Sequence, residues 1–225
     1  MTAQFVAPNG AVIADMSDRA TSRAREARAA VRRATWTAER LPLGDSGSDP
    51  VPSTGLARRL VDVSAVSRQA HLIWYNERLA PDILDFMVAL DQHRVDAVLV
   101  GGYAVGVYGV VLATSDIDFL YRRTSANVQR LCRVLEAFGA PPTAIDPKAL
   151  LTPDMVTMFG VPPFRIDLLN DISGVEFGAV WRGSHVVTLE GTPIRVIGLA
   201  ALRANKASTG RAKDKADLRR LPKAL

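Results

Sequence analysis

The spacing of apolar and polar positions divides the chain near residue 80. Upstream, apolar residues are scattered among Arg, Ala, Ser and Pro; downstream they recur at the periods of helices and strands. Ile83, Leu84, Phe86, Met87 and Leu90 form a stripe at helical spacing, and Pro81 suits the first turn of that helix. Val95–Val100 is a short, nearly continuous apolar run, the pattern of a strand central in its sheet. Gly101-Gly102 ends it, and Tyr103–Tyr108 reads as a short helix. Asp116–Tyr121 is a second strand, and Asn127–Phe138 a helix closed by Gly139, where a left-handed residue ends many helices. Met155–Phe159 and Phe164–Leu169 follow as strands around Gly160-Val-Pro-Pro. His185–Leu189 and Pro193–Ile197 suggest a hairpin; Leu199–Ala207 and Arg211–Leu221 are two closing helices. This alternation predicts an α+β (or α/β) sheet over residues 80–225 with helices on one face.

Residues 1–79 do not follow this pattern and read as an N-terminal extension, largely disordered or helical. Arg and Ala dominate 19–40, so 16–41 predicts a solvent-exposed or partner-dependent helix with Trp36 as an isolated apolar anchor. Residues 42–55 are rich in Pro, Gly, Ser and Asp and read as a linker, and 56–78 offers a second helical stretch. Residues 1–50 are expected to stand outside the catalytic core.

Composition narrows the setting. Apolar residues make up 48% of the 225, enough for a core, and no uncharged apolar run reaches the length of a membrane span. No basic stretch followed by a long apolar segment opens the chain, so no secretory signal is expected. Cys132, the single cysteine, has no intramolecular partner, which fits a reducing, cytoplasmic setting. His71, His93 and His185 lack ligand spacing, which argues against zinc. The net charge of +5 is concentrated at the end: residues 203–225 hold eight Lys or Arg against Asp214 and Asp217. Such a patch suits polyphosphate or RNA, although a solvated basic helix explains it equally.

The candidate chemistry lies between residues 98 and 167. Strand side chains alternate faces, so Asp116 and Asp118 project from one face and Ile117 from the other. Two carboxylates that close repel unless a cation lies between them, and a hard ion such as Mg²⁺ takes carboxylate oxygens while keeping sites for phosphate and water. The Gly101-Gly102 turn lets backbone N–H groups approach a phosphate. Asp167, in Phe164-Arg-Ile-Asp-Leu-Leu169, supplies a third carboxylate on the face it shares with Arg165. If that strand pairs beside 116–120, three carboxylates converge, the donor set of a two-metal phosphoryl-transfer site. Each part alone has a plain structural explanation: a solvated Asp-x-Asp, an ordinary turn, an Asp167–Arg pair. Their order and spacing together point to chemistry.

Gly101-Gly-Tyr-Ala, Gly109, Thr114-Ser-Asp-Ile-Asp-Phe-Leu, Arg165-Ile-Asp-Leu-Leu and Lys206…Gly210-Arg-Ala-Lys-Asp-Lys-Ala-Asp-Leu218 resemble the minimal nucleotidyltransferases of the DNA polymerase β superfamily. The subgroup most similar in these motifs is the AbiEii-like proteins of type IV toxin–antitoxin systems. The resemblance spans about residues 80–221. It implies a mixed nucleotidyltransferase-like sheet, Mg²⁺, and a nucleoside triphosphate such as ATP as donor. It assigns Asp116, Asp118 and Asp167 to metal and catalysis, Gly101 and Gly102 to the triphosphate turn, and Ser115, Lys206 and Lys213 to further nucleotide contacts. The chain departs from the pattern in having Gly102, followed by Tyr103, where many relatives carry Ser after the first glycine, and Tyr108 and Leu112 where relatives often have His and Arg.

The expected activity is therefore transfer of a nucleoside monophosphate from a triphosphate to a hydroxyl of RNA (tRNA among the candidates), protein or a small molecule. A toxin-like role with an antitoxin partner is one setting that the resemblance implies. The basic C-terminal helix favours an RNA acceptor. The alternative is a non-catalytic nucleotide-binding or interaction module with the same fold.

Overall fold

The computed structural model describes residues 25–30, 38–42, 81–110, 114, 116–161, 164–189 and 191–223. Within them the chain runs as helix α1 (25–30), strand β1 (Ala38–Pro42), α2 (Pro81–Gln92), β2 (Ala97–Leu99), α3 (Gly101–Val107), β3 (Asp116–Tyr121) and α4 (Ser125–Phe138). A 3₁₀ turn at Pro142–Ala144 and helix α5 (Pro147–Leu151) lead to β4 (Met155–Val161) and β5 (Phe164–Leu169). Helix α6 (Phe177–Gly183), β6 (His185–Leu189), β7 (Thr192–Val196), α7 (Leu199–Ser208) and α8 (Ala212–Arg220) complete it. None of these helices is long and apolar enough to cross a membrane.

The strands form one mixed sheet in the order β1-β4-β5-β3-β2-β7-β6. The β3–β5 and β2–β7 pairs are parallel, and β1–β4, β4–β5, β2–β3 and β6–β7 are antiparallel. The fold is thus α+β, a mixed sheet flanked by helices. β2 is central, paired on both edges, and its apolar run is buried throughout. One face of the sheet carries Ile117, Phe119, Phe159 and Ile166, all buried. Phe86 of α2 stacks there, its ring 5.4 Å from Phe119, 6.0 Å from Phe159 and 5.0 Å from Phe138 of α4. The opposite face carries the alternate residues, among them Asp116, Asp118 and Asp167. It also receives α6, whose Phe177 and Trp181 rings lie under the guanidinium groups of Arg122 and Arg195. Helices therefore flank both faces, which corrects the expectation of one.

Local rules set the elements that place the site. Thr124 caps α4 by accepting from the Asn127 N–H, so the helix starts at Ser125, two residues before the expected Asn127; Gly139, at φ 83°, closes it. Asn127 is buried and staples the β2–β3 pair: its Oδ1 accepts from the Asp96 N–H at 2.8 Å, and its Nδ2 donates to the Asp96 and Arg122 carbonyls. This fixes the register that sets Val98 opposite Leu120, and hence the position of Asp118 along the sheet. Helices α5 and α6 escape a periodicity reading because they are too short for a stripe. α5 is set by Asp146, whose side chain accepts from Lys148 and Ala149 N–H ahead of Pro147.

Part of the N-terminal extension joins the sheet domain. The helix expected over 16–41 is helical at 25–30 but gives way to a strand at 38–42, which pairs along β4 from Ala38↔Phe159 to Pro42↔Met155. Residues 38–42 are therefore part of the sheet, a correction to the expectation for residues 1–50. Arg28 reaches Asp85 of α2 with two hydrogen bonds of 2.7 Å, and Arg25 lies 3.4 Å from the same carboxylate. A Cβ on Gly139 would overlap the Ala29 carbonyl, so the α4 terminus also needs its glycine for close packing against α1. Trp36, the linker and the helical stretch of 56–78 lie outside the described residues. Replacing Arg28 by Ala is expected to lower stability by about 1.5 kcal/mol, the low end for hydrogen bonds to a charged group, because Arg28 is partly exposed and Arg25 stays. A shift of the urea midpoint at constant slope checks it.

Candidate active site

The parallel β3–β5 register sets Asp118 directly beside Asp167 and Asp116 beside Arg165. Side chains in register on adjacent strands share a face, so these four polar groups form a square on the sheet. Arg165 holds two of the carboxylates. Its Nε donates to Asp167 Oδ1 at 2.8 Å, and its Nη2 to Asp116 Oδ2 at 2.9 Å and Asp167 Oδ2 at 3.1 Å. Thr114 Oγ1 donates to the other Asp116 oxygen, Oδ1, at 2.5 Å. Asp118 accepts no side-chain hydrogen bond among the described residues.

The glycine turn is built around that carboxylate. Val100 N–H donates to the Asp118 carbonyl at 3.0 Å, so the chain leaves β2 level with Asp118. Gly101 then adopts φ 62°, a conformation that L side chains rarely take. A Cβ there would overlap Asp118 Oδ2 and lie 2.5 Å from its Cγ. At Gly102 a Cβ would lie 3.0 Å from Thr114 Oγ1, the hydroxyl that holds Asp116. The two glycines thus bring the start of α3 against the Asp118 carboxylate and the Thr114 side chain that holds Asp116.

Electrostatics follow from the crowding. Burial, with the charges of Asp116 and Asp167 added, pushes Asp118 up to about 8; Lys206 and Lys213 pull it the other way. Asp167 is raised to about 6 by burial, against the lowering effect of its hydrogen bond to Arg165. Burial also raises the Tyr103 hydroxyl, with the Asp116 charge adding to it. Each of these groups resists gaining a negative charge where no further cation is present.

Lys206, expected to meet nucleotide, is buried in a triad. Its Nζ lies 2.5 Å from Asp214 Oδ1 and 2.9 Å from Asp217 Oδ2, so the "closing" basic-acidic motif is first of all what docks α8 on α7. Burial alone would lower the Lys206 ammonium, but the two carboxylates raise it. Asp214 also accepts from Thr209 and Arg211 and is held below its ordinary value despite burial. Lys213, by contrast, is exposed, as are Lys215 and Arg219. Lys206→Met should therefore lower stability by about 3–5 kcal/mol, because it strands two buried carboxylates. Lys213→Ala should stay within about 0.5 kcal/mol. Thermal unfolding of the two variants distinguishes these roles. Because Asp214 lies below its ordinary 3.8, its contribution is present above that pH and is lost as pH falls through the lower folded value.

The structure thus brings Asp116, Asp118, Asp167, Gly101 and Gly102 together, with the charges of Lys206 and Lys213 felt at Asp118. Ser115 and Leu112 lie outside the described residues. Tyr108 serves the fold: its buried hydroxyl donates to the Ile197 carbonyl at 2.7 Å and ties α3 to the start of α7. Two residues go beyond the sequence assignments. Arg165 bridges two carboxylates, a role signalled by its i, i+2 spacing from Asp167 on β5, and Thr114 orients Asp116 from the same i, i+2 spacing just ahead of β3.

The donor set is suited to a hard divalent ion: three carboxylates in adjacent register positions, one of them without a hydrogen-bonding side chain, and a guanidinium already serving as cation for the other two. Among the described residues no three His, Cys, Asp or Glu side chains are gathered into a ready-made metal cage. No family model matches the chain, and no curated protein matches it.

Proposed function

We propose that the chain is a metal-dependent nucleotidyltransferase. The observation that carries this reading is the register of Asp118 beside Asp167 with Gly101 packed against the Asp118 carboxylate. It sets a carboxylate cluster against the glycine turn that opens α3, where backbone N–H groups suit phosphate oxygens. Asp116, Asp118 and Asp167 would hold Mg²⁺, which when bound supplies neutralising charge for a triphosphate. Gly101 and Gly102 keep the turn free of side chains, and Lys213 places an exposed cation within electrostatic reach of the same carboxylates. In the reaction, an acceptor hydroxyl oxygen bonds to the α-phosphorus, the bond to the β-phosphate oxygen breaks, and pyrophosphate leaves. The hydroxyl proton passes to a carboxylate of the cluster, with Asp167, beside Asp118 on β5, in the role of acceptor. Both acids of the C-terminal segment are engaged by Lys206, so Lys213, Lys215 and Arg219 present a basic surface, which supports an RNA acceptor.

A second reading, a non-catalytic nucleotide-binding module, is favoured by one observation: Arg165 and Lys206 both spend their charge on carboxylates within the protein. Incubation with labelled ATP, GTP, CTP or UTP, Mg²⁺ and total tRNA separates the two. Label on the RNA that disappears in the Asp116→Ala/Asp118→Ala variant supports the enzyme. Nucleotide binding without label on RNA, protein or small-molecule hydroxyls supports the module.

A further inference from the structure

We infer that Arg165 is an exchangeable counter-ion: it holds Asp116 and Asp167 in the metal-free protein and moves to the polyphosphate when a nucleotide brings the metal. The inference rests on the metal-nucleotide reading of the site and adds to it a coupling between the two ligands. The guanidinium occupies one oxygen of Asp116 and both oxygens of Asp167. Those are three of the six oxygens that the three carboxylates could offer a divalent ion. Its Nη2 is shared between the two strands, so it neutralises the pair as a cation between them would.

Arg165 differs in this from Lys206, the buried lysine whose charge is also felt at Asp118. Lys206 is only 5% exposed and is fixed by two buried carboxylates, whereas the Arg165 side chain is 25% exposed and reaches solvent beside its carboxylates. A divalent ion and Arg165 compete for the same oxygens. A displaced guanidinium needs a new anionic partner, and its planar fork of N–H donors matches phosphate oxygens. The triphosphate supplies that partner at the moment the carboxylates are taken. Metal alone is then a poor competitor, metal with triphosphate a good one, and by linkage each ligand tightens the other. The arrangement also prevents three carboxylates from facing one another uncompensated before either ligand arrives.

Mn²⁺ binding followed by electron paramagnetic resonance, with and without a non-hydrolysable triphosphate analogue, tests the exchange on the full chain. Wild type should bind Mn²⁺ weakly alone and roughly tenfold or more tightly with the analogue. Arg165→Gln should bind Mn²⁺ alone about tenfold more tightly than wild type and show little further gain from the analogue. Arg165→Lys, which keeps the charge but loses the fork, should fall between them and serves if the Gln variant does not fold. Equal affinity of wild type and both variants for Mn²⁺ alone overturns the exchange but leaves the metal site standing. Absence of Mn²⁺ binding by every protein, even with the analogue, overturns the metal-site reading and the exchange with it.

Discussion

Asp118→Asn should abolish nucleotidyl transfer and, at the same time, make the metal-free protein harder to melt at alkaline pH. The first effect follows from losing a charged ligand at the one carboxylate that no described side chain engages. Charge stabilisation by a bound metal is worth several kcal/mol, which corresponds to a rate loss of about a thousandfold or more. The second follows from linkage. The Asp118 carboxyl titrates near 8 in the folded protein, against an ordinary value of 3.8, because burial and two neighbouring carboxylates oppose its charge. Between those values the folded state keeps a proton that the unfolded state has lost, so stability falls as pH rises through this window. Above pH 8 the penalty is fully present. The Asn variant does not carry it, so melting temperatures of the two proteins should converge near pH 4, separate progressively between pH 4 and 8, and differ most above pH 8. A separation of about 2–4 °C is expected for each kcal/mol of penalty removed in a chain of this size. Calorimetry at pH 4, 6 and 9, without divalent ions, reads the effect. A variant less stable than wild type at pH 9 would contradict the electrostatic account of the cluster.

Gly101→Ala should inactivate the protein without touching a single charged group. The residue sits at φ 62°, where an L side chain costs about 1–2 kcal/mol, and its methyl group would overlap the Asp118 carboxylate. Either Asp118 leaves its place or the start of α3 moves away from β3, and both disassemble the site. Loss of activity comparable to that of Asp118→Asn, with a stability loss of about 2 kcal/mol or more, is the expected result. Gly102→Ala is the internal comparison. Its Cβ would meet Thr114 Oγ1 at 3.0 Å, a side chain able to shift slightly, so this variant should keep more stability than Gly101→Ala. Paired urea titrations and activity measurements check the order. Equal tolerance at both positions would mean that Asp118 is not seated against the turn as described.

The sequence made the site easier to read than its wiring. β3 and β5 were recognisable to the residue because each alternates apolar and polar positions between clear turn signals. Their pairing is not legible in the sequence, since register is a tertiary property; the structure pairs them in parallel and puts Asp118 beside Asp167. The helical stripes of α2 and α4 were equally plain, whereas α5 and α6 are too short to show a period. The β1 strand was missed for another reason. Its sequence, Ala-Glu-Arg-Leu-Pro, has little strand character, and its place is given by the unpaired edge of β4. Lys206 shows the same limit within the site. A lysine near a carboxylate cluster is easily assigned to ligand, but its partners Asp214 and Asp217 lie on the next helix, and only packing brings them to it.

The fate of label from the two ends of one nucleotide tests the central claim most directly. Protein, Mg²⁺ and an acceptor RNA are incubated in parallel with triphosphate labelled at the α or the γ phosphate. Nucleotidyl transfer places the α label on the acceptor and releases the γ label in pyrophosphate, and Asp118→Asn does neither. Transfer of the γ label, or an α label that persists unchanged in Asp118→Asn, would contradict a nucleotidyltransferase centre at Asp116, Asp118 and Asp167.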